Sequence, residues 1–172
     1  MKKAIFFDRD GVINIDKHHV YKIEDFIFYK DVFKAIPLLS KFFLKIIVTN
    51  QAGIAKKLYT EKDYTKLTKW MLKELKSKKI TINKVYHCPH YENCSCRKPK
   101  PGMLKEAAKD LNIDLKQSWL IGDKETDIIA GKKAGCKTIL LTRTKSIHEK
   151  TLADFEVKTL LQAVKIIDGF VG

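Results

Sequence analysis

The sequence predicts an α/β protein: a doubly wound, mostly parallel sheet with helices on both faces. Two observations predict it. Short β-rich apolar runs alternate with segments of helical period. Three polar clusters, at Asp8, Thr49 and Asp123, fall where predicted strands end, the place where open α/β sheets bind ligands. The length of 172 residues and the 45% apolar content fit one domain, residues 1–172, with a sizeable core.

The elements follow in order. Lys3 to Phe7 predicts a strand, and the Asp31 to Phe43 stretch predicts a helix with Val32, Ile36, Leu39 and Phe43 on one face. Leu44 to Thr49 is a continuous apolar strand. Thr60 to Lys79 predicts a long helix with Thr60 as N-cap, Asp63 at the capping-box position, and a buried stripe of Tyr64, Leu67, Met71 and Leu75. A strand at Lys84 to His87 precedes a cysteine-rich loop, and a helix from about Pro101 to Leu111 follows, with proline near its first turn. Trp119 to Ile121 predicts a strand ending in Gly122-Asp123. Glu125 to Ala134 predicts a helix closed by Gly135, with Glu125 facing solvent. Lys137 to Leu141 adds a strand, and Thr159 to Ile167 a last helix.

Composition narrows the class of function. No segment approaches the ~18 apolar residues of a membrane span. The apolar stretch behind the basic tip MKK is too short for an export signal, so a cytoplasmic protein with no membrane partner is expected. The formal charge is +14, yet Arg9, Arg97 and Arg143 are the only arginines. Scattered lysines with so few arginines describe a solvated surface with a general attraction for anions such as phosphate esters, and no nucleic-acid partner is expected.

The chemistry sits at the strand ends. Asp8 and Asp10, two residues apart, share one side of a strand that breaks at Gly11, so both carboxylates can converge on one point. One carboxylate can attack phosphorus and the other can carry the proton, or the pair is simply an acidic turn. Asp123 and Asp127 offer hard oxygen ligands of the kind that suit Mg²⁺, although Asp123 also reads as a helix N-cap. Thr49-Asn50-Gln51 can hold phosphate oxygens or form a polar turn, and Lys98, with Pro99 and Pro101 stiffening the backbone beside it, can bring positive charge to a phosphoryl group.

Together FFDRDGVIN, IIVTNQ, the lysine of CRKPKPGM and IGDKETD resemble, in chain order and strand context, the four signature motifs of the haloacid-dehalogenase-like (HAD-like) phosphatases, over residues 4 to about 141. The resemblance implies that Asp8 is the nucleophile and Asp10 the general acid/base. It implies that Asp8, the backbone carbonyl of Asp10 and Asp123 bind Mg²⁺, and that Thr49 and Lys98 fix the phosphoryl oxygens. The gaps after the first motif and after Thr49 are too short for a large cap domain, so an open site is expected.

Cys88, His90, Cys94 and Cys96 stand in C-x-H-x3-C-x-C spacing, a donor set for a closed tetrahedral structural Zn²⁺ that would hold Arg97 and Lys98 at the site. Cys136 reads as a small buried residue; His87 and His148 carry no visible role. The zinc loop with TNQAGIA is similar to the D,D-heptose 1,7-bisphosphate phosphatases, which remove the 7-phosphate on the way to nucleotide-activated heptose and lipopolysaccharide core. That resemblance extends through ADFEVKTLLQAV. It implies a small sugar bisphosphate as partner, and a monomer is expected. It also implies substrate contacts from Asp16, Lys17, His18, His19, Asn50, Gln51, Ala52, Arg97 and Lys124. At His18 and His19 the chain departs from the family's small and aromatic residues, and the pair equally reads as an exposed loop. Histidinol-phosphate phosphatases share the zinc loop and are the near alternative. A polynucleotide 3′-phosphatase, a zinc-containing nucleic-acid-binding module and a non-catalytic phosphoacceptor are further ones, and the missing aromatic-studded basic groove and Asp10 speak against them.

Overall fold

A computed structural model describes residues 1–143 and 150–170; His148 lies outside the described residues. Six strands form one parallel sheet in the order β3-β2-β1-β4-β5-β6. They are β1 (Lys3–Phe7), β2 (Phe43–Asn50), β3 (Lys84–Cys88), β4 (Trp119–Gly122), β5 (Lys137–Leu141) and β6 (Phe155–Val157). The chain winds outward from β1 to β3, returns to β4 on the other side of β1, and winds outward again. The crevice between β1 and β4 is therefore the topological switch point, and the loops leaving those strands carry Asp8 and Asp123.

Alternation along β1 builds a core on each face. Ile5 and Phe7 join Ile47, Ile121 and Ile139 in a core with Leu67, Met71 and Leu75 of α2 (Glu61–Ser77) and Leu160, Ala163, Val164 and Ile167 of α5 (Leu160–Gly169). Ala4 and Phe6 join Ile46, Val48 and Leu120 in the opposite core, with Met103, Leu104 and Ala107 of α3 (Gly102–Leu111) and Ala130 of α4 (Glu125–Ala134). Among the described residues no helix is long and apolar enough to cross a membrane.

The expected caps form. Thr60 accepts from Asp63 N–H while Asp63 accepts from Thr60 N–H. Thr159 is the N-cap of α5, and Gly135 (φ +90°) closes α4. The expected helix from Asp31 to Phe43 is cut short. Helix α1 covers only Val32–Ala35 and tightens into a 3₁₀ turn over Ile36–Leu38. Pro37 lacks the N–H that would continue the ladder. Phe43 instead opens β2 opposite Lys3, so the four apolar positions are buried but divide between α1, the 3₁₀ turn, its C-cap Leu39 and β2. Strand β6 was not expected: three residues are too few to show a period.

Candidate active site

Asp8 stands one residue past β1, its N–H donating to Ile121 O at 3.0 Å. Its Oδ1 accepts the Arg9 N–H at 2.8 Å and Lys98 Nζ at 2.9 Å. Lys98 is 3% exposed, and its ammonium also reaches Asp127 Oδ1 at 2.6 Å and Val48 O at 2.9 Å. Three donors thus meet three acceptors, and contact with a phosphoryl oxygen requires one of these bonds to be exchanged. Burial alone would lower the Lys98 pKa, but Asp127 and Asp8 more than offset it, and the group is held above its ordinary value. Burial, reinforced by Asp127, pushes the Asp8 carboxyl up to about 8 against the pull of Lys98.

Asp123 is 8% exposed and packs against Gly11. Gly11 has φ +91°, and a Cβ there would fall 2.2 Å from Asp123 Cγ. Gly11→Ala is expected to cost about 2 kcal/mol of stability and most of the activity, because it combines a strained φ with displacement of a buried carboxylate. A urea midpoint equal to wild type would contradict this. Asp127 serves two partners, Lys98 and the Lys124 N–H at 3.1 Å, so the capping of α4 is coupled to the lysine. Carboxylate oxygens of Asp8, Asp123 and Asp127 all lie within 4.8 Å of one another. Lys98 pairs with Asp8 and Asp127, and burial together with the neighbouring Asp127 and Asp123 carboxylates raises the Asp8 pKa. Such a set fits a divalent hard cation.

Asp10 faces the cleft with its side chain 16% exposed. The Arg9 fork donates Nε to Oδ2 at 3.1 Å and Nη2 to Oδ1 at 3.0 Å, and Asn14 Nδ2 adds a bond to Oδ1 at 3.0 Å. Arg9 itself is 1% exposed and anchored on Val20 O at 2.7 Å. Sequence reasoning missed Arg9 and Asn14. An arginine between two aspartates that share one side of a strand reads as pointing away, but β1 ends at Phe7 and Arg9 lies beyond it, in the loop where it meets Asp10. Arg143 was missed as well: it donates to Gly11 O at 3.2 Å, to Val12 O at 2.9 Å and to both Asp31 oxygens, tying down the loop that holds the aspartates.

The open cleft has a volume of about 310 Å³. Asp16, His18, His19, Asn50, Gln51, Ala52, Arg97 and Lys124 all line it; Lys17 is exposed beside it and does not. Asn50 clasps the Lys98 backbone, Nδ2 to O and Oδ1 to N–H, each at 3.0 Å. Thr49 is 1% exposed and lies behind Gln51. Lys124 spans the mouth to Asp16 at 2.7 Å. His18 and His19 both adopt positive φ, and the Asp16 carboxylate accepts the His18 N–H at 2.9 Å. Glu125, expected to face solvent, instead accepts from Thr151 Oγ1 and Leu152 N–H and pins that segment to α4.

The sulfurs of Cys88, Cys94 and Cys96 and Nδ1 of His90 lie within 4.8 Å of one another, and all four cysteines of the chain are free. Three thiols and one imidazole converging at the root of the loop that carries Arg97 and Lys98 fit Zn²⁺. Cys136 is 5% exposed, and burial pushes its thiol up to about 12. His87 stacks on Tyr64 at 4.2 Å and meets Glu61 at 2.6 Å.

Residues 95–163 match a HAD-hydrolase-like family model. The chain is 49% identical over 154 residues to a D-glycero-alpha-D-manno-heptose-1,7-bisphosphate 7-phosphatase of Campylobacter jejuni, covering 89% of this chain and 87% of the relative. It is 42% identical over 180 residues to a D-glycero-beta-D-manno-heptose-1,7-bisphosphate 7-phosphatase of Haemophilus ducreyi, covering 97% and 99%. Its fold superposes with TM-score 0.88 and 26% identity, over 98% of this chain and 99% of the other, on a crystal structure of D,D-heptose 1,7-bisphosphate phosphatase from B. bronchiseptica complexed with magnesium and phosphate.

Proposed function

Because this chain belongs to the D-glycero-manno-heptose-1,7-bisphosphate 7-phosphatase family of HAD-like hydrolases, we propose that it is a magnesium-dependent phosphatase removing the 7-phosphate of D-glycero-D-manno-heptose 1,7-bisphosphate. The reaction would supply nucleotide-activated heptose synthesis. The observation that carries the chemistry is the buried Asp8–Lys98–Asp127 cluster with Asp10 beside it on the open cleft.

Both donors to Asp8 engage Oδ1, which leaves Oδ2 for in-line attack on phosphorus and formation of an aspartyl phosphate. Asp10, oriented by Arg9 and Asn14, gives its proton to the leaving sugar oxygen and then takes one from the water that hydrolyses the acyl phosphate. Thr49 and Lys98 hold the transferring oxygens. Asp8, the Asp10 carbonyl and Asp123 would hold Mg²⁺, with Asp127 completing the acidic set; bound there, the cation neutralises charge shared by the carboxylates and the phosphoryl group. Arg97 and Lys124, both lining the cleft, suit the phosphate that stays on the sugar.

Phosphate release from both anomers of the heptose bisphosphate and from histidinol phosphate, with and without Mg²⁺, tests the substrate. The larger kcat/KM is expected for a heptose anomer, and a preference for histidinol phosphate would overturn the assignment. Zinc at Cys88, His90, Cys94 and Cys96 is structural in this reading. Cys94→Ser is expected to lower zinc content and thermal midpoint and to cut kcat/KM about tenfold or more through the displaced Lys98 loop. Unchanged activity in zinc-free Cys94→Ser protein would remove that role.

A further inference from the structure

Gln51 is 2% exposed, so both ends of its amide must be satisfied within the protein. Tyr59 Oη lies 2.6 Å from Oε1, while Nε2 lies 2.8 Å from Thr49 Oγ1 and 3.3 Å from Asp10 Oδ2. Chemistry fixes the direction of these bonds. Asp10 Oδ2 already accepts from Arg9 Nε, so the amide must turn its nitrogen to that side. The amide oxygen then faces Tyr59, and the phenol is the donor. Burial pushes that phenol up to about 12, so the donor persists through neutral pH.

The ring of Tyr59 is seated independently of its hydroxyl. It is 5% exposed and stacks on Tyr21 at 5.0 Å and 10°. It also lies so close to Gly53 that a Cβ there would fall 2.1 Å from Cε1. The loop after β2 therefore presents a bare backbone to this ring, and the ring delivers its oxygen to Gln51.

We infer that Tyr59 is a positioning residue for phosphoryl transfer: its hydroxyl holds the Gln51 amide in the orientation that supports Asp10 and leaves the Thr49 hydroxyl proton for a phosphoryl oxygen. Thr49 Oγ1 accepts from Gln51, so its own proton has no call on it from that side. With the phenol gone, the amide can turn over. Oε1 would then oppose the Asp10 oxygen, acceptor against acceptor, and would capture the Thr49 proton. The inference rests on the phosphatase reading above, and neither the fold nor the family requires it.

Tyr59→Phe keeps the ring and removes the donor. Its kcat is expected to fall about fivefold to tenfold, the worth of one buried hydrogen bond, with KM within about twofold of wild type and a single cooperative unfolding transition at a modestly lower midpoint. The same loss should vanish in a Gln51→Met background, because the tyrosine acts only through the amide. Wild-type kcat in Tyr59→Phe, or losses that simply add in the double variant, would overturn the relay. Para-nitrophenyl phosphate, cleaved with Mg²⁺, separates the two readings. A chain that cleaves this ester but not the heptose bisphosphate disproves the substrate and still reports the relay. One readout needs no turnover: the Gln51 side-chain amide protons, identified by their loss in Gln51→Met, should exchange slowly in wild type and quickly in Tyr59→Phe. Equal exchange in the two proteins would overturn the inference.

Discussion

Asp8→Asn is expected to abolish phosphate release, by at least about 10⁴-fold in kcat, while leaving the fold intact and the metal-free protein more stable at pH 8. The activity loss follows because an amide oxygen is a poor nucleophile and neither Asp127 nor Asp10 is free to replace Asp8. Asp127 is committed to Lys98 and to the Lys124 N–H, and Asp10 to Arg9 and Asn14. The stability gain follows from the raised Asp8 pKa. A carboxyl moved from its ordinary 3.8 to about 8 by burial and Asp127 contributes stability below pH 4, which is lost as pH rises toward 8. Asparagine carries no such charge and loses nothing over that window. In chelator, the midpoint difference between variant and wild type should therefore widen from pH 5 to pH 8, and Mg²⁺ should narrow it by favouring ionised Asp8. Phosphate release at the wild-type rate would refute the nucleophile. A difference that shrinks with rising pH would refute the electrostatic account.

Much of this arrangement was legible in the sequence because chemistry and topology coincide. Strand ends in a doubly wound sheet converge, so carboxylates, a Thr-Asn-Gln run and a lysine placed after strands were bound to share a crevice once the strands were assigned. Periodicity assigned them, since β1, β2 and β4 are near-continuous apolar runs buried on both faces. The cysteine and histidine spacing was equally plain, because four ligands within nine residues can converge without any knowledge of the fold. Position along the chain does not reveal how a turn redirects a side chain. In an extended strand Arg9 and Asp10 would point to opposite sides, but β1 ends at Phe7 and in the loop beyond it Arg9 grips Asp10. Arg143 and Asp31 lie 112 residues apart in sequence and meet only through the tertiary fold. Tyr59 reads as an ordinary aromatic before a helix, and its contact with Gln51 depends on a loop path that no period encodes.

The same limits explain the fold errors. The apolar spacing at Val32, Ile36, Leu39 and Phe43 is genuine, since all four are buried. Burial alone cannot distinguish one continuous helix from a helix, a 3₁₀ turn with its C-cap Leu39, and a strand that together present four residues to the same core. Pro37 was the signal that could have separated them. Glu125 was assigned to solvent from its place at a helix start. Its partners, Thr151 and Leu152, arrive only through the excursion between β5 and β6.

Lys98→Met should produce the largest stability loss of any cleft substitution, about 3 to 5 kcal/mol at neutral pH, together with loss of turnover. Methionine keeps the length and the apolar contacts of the stem, so the change isolates the charge. Without the ammonium, Asp8 and Asp127 face each other, with Asp123 close by, and Val48 O is left without its donor. Breaking a buried pair from one side is costly because the remaining carboxylates cannot return to water. The sign with pH is fixed by Asp8, whose pKa in the wild type is already raised and which loses the opposing attraction of Lys98 in the variant. Protonation of Asp8 relieves the repulsion, so the deficit should be smaller at pH 5 than at pH 8, and Mg²⁺ should recover part of it by supplying the missing positive charge. Turnover should not recover with the stability, because the cation restores charge at the carboxylates and not the donor aimed at the phosphoryl oxygens. Urea midpoints at both pH values, with and without Mg²⁺, measure this. A midpoint equal to wild type at pH 8 in chelator would show that Lys98 does not balance the buried carboxylates.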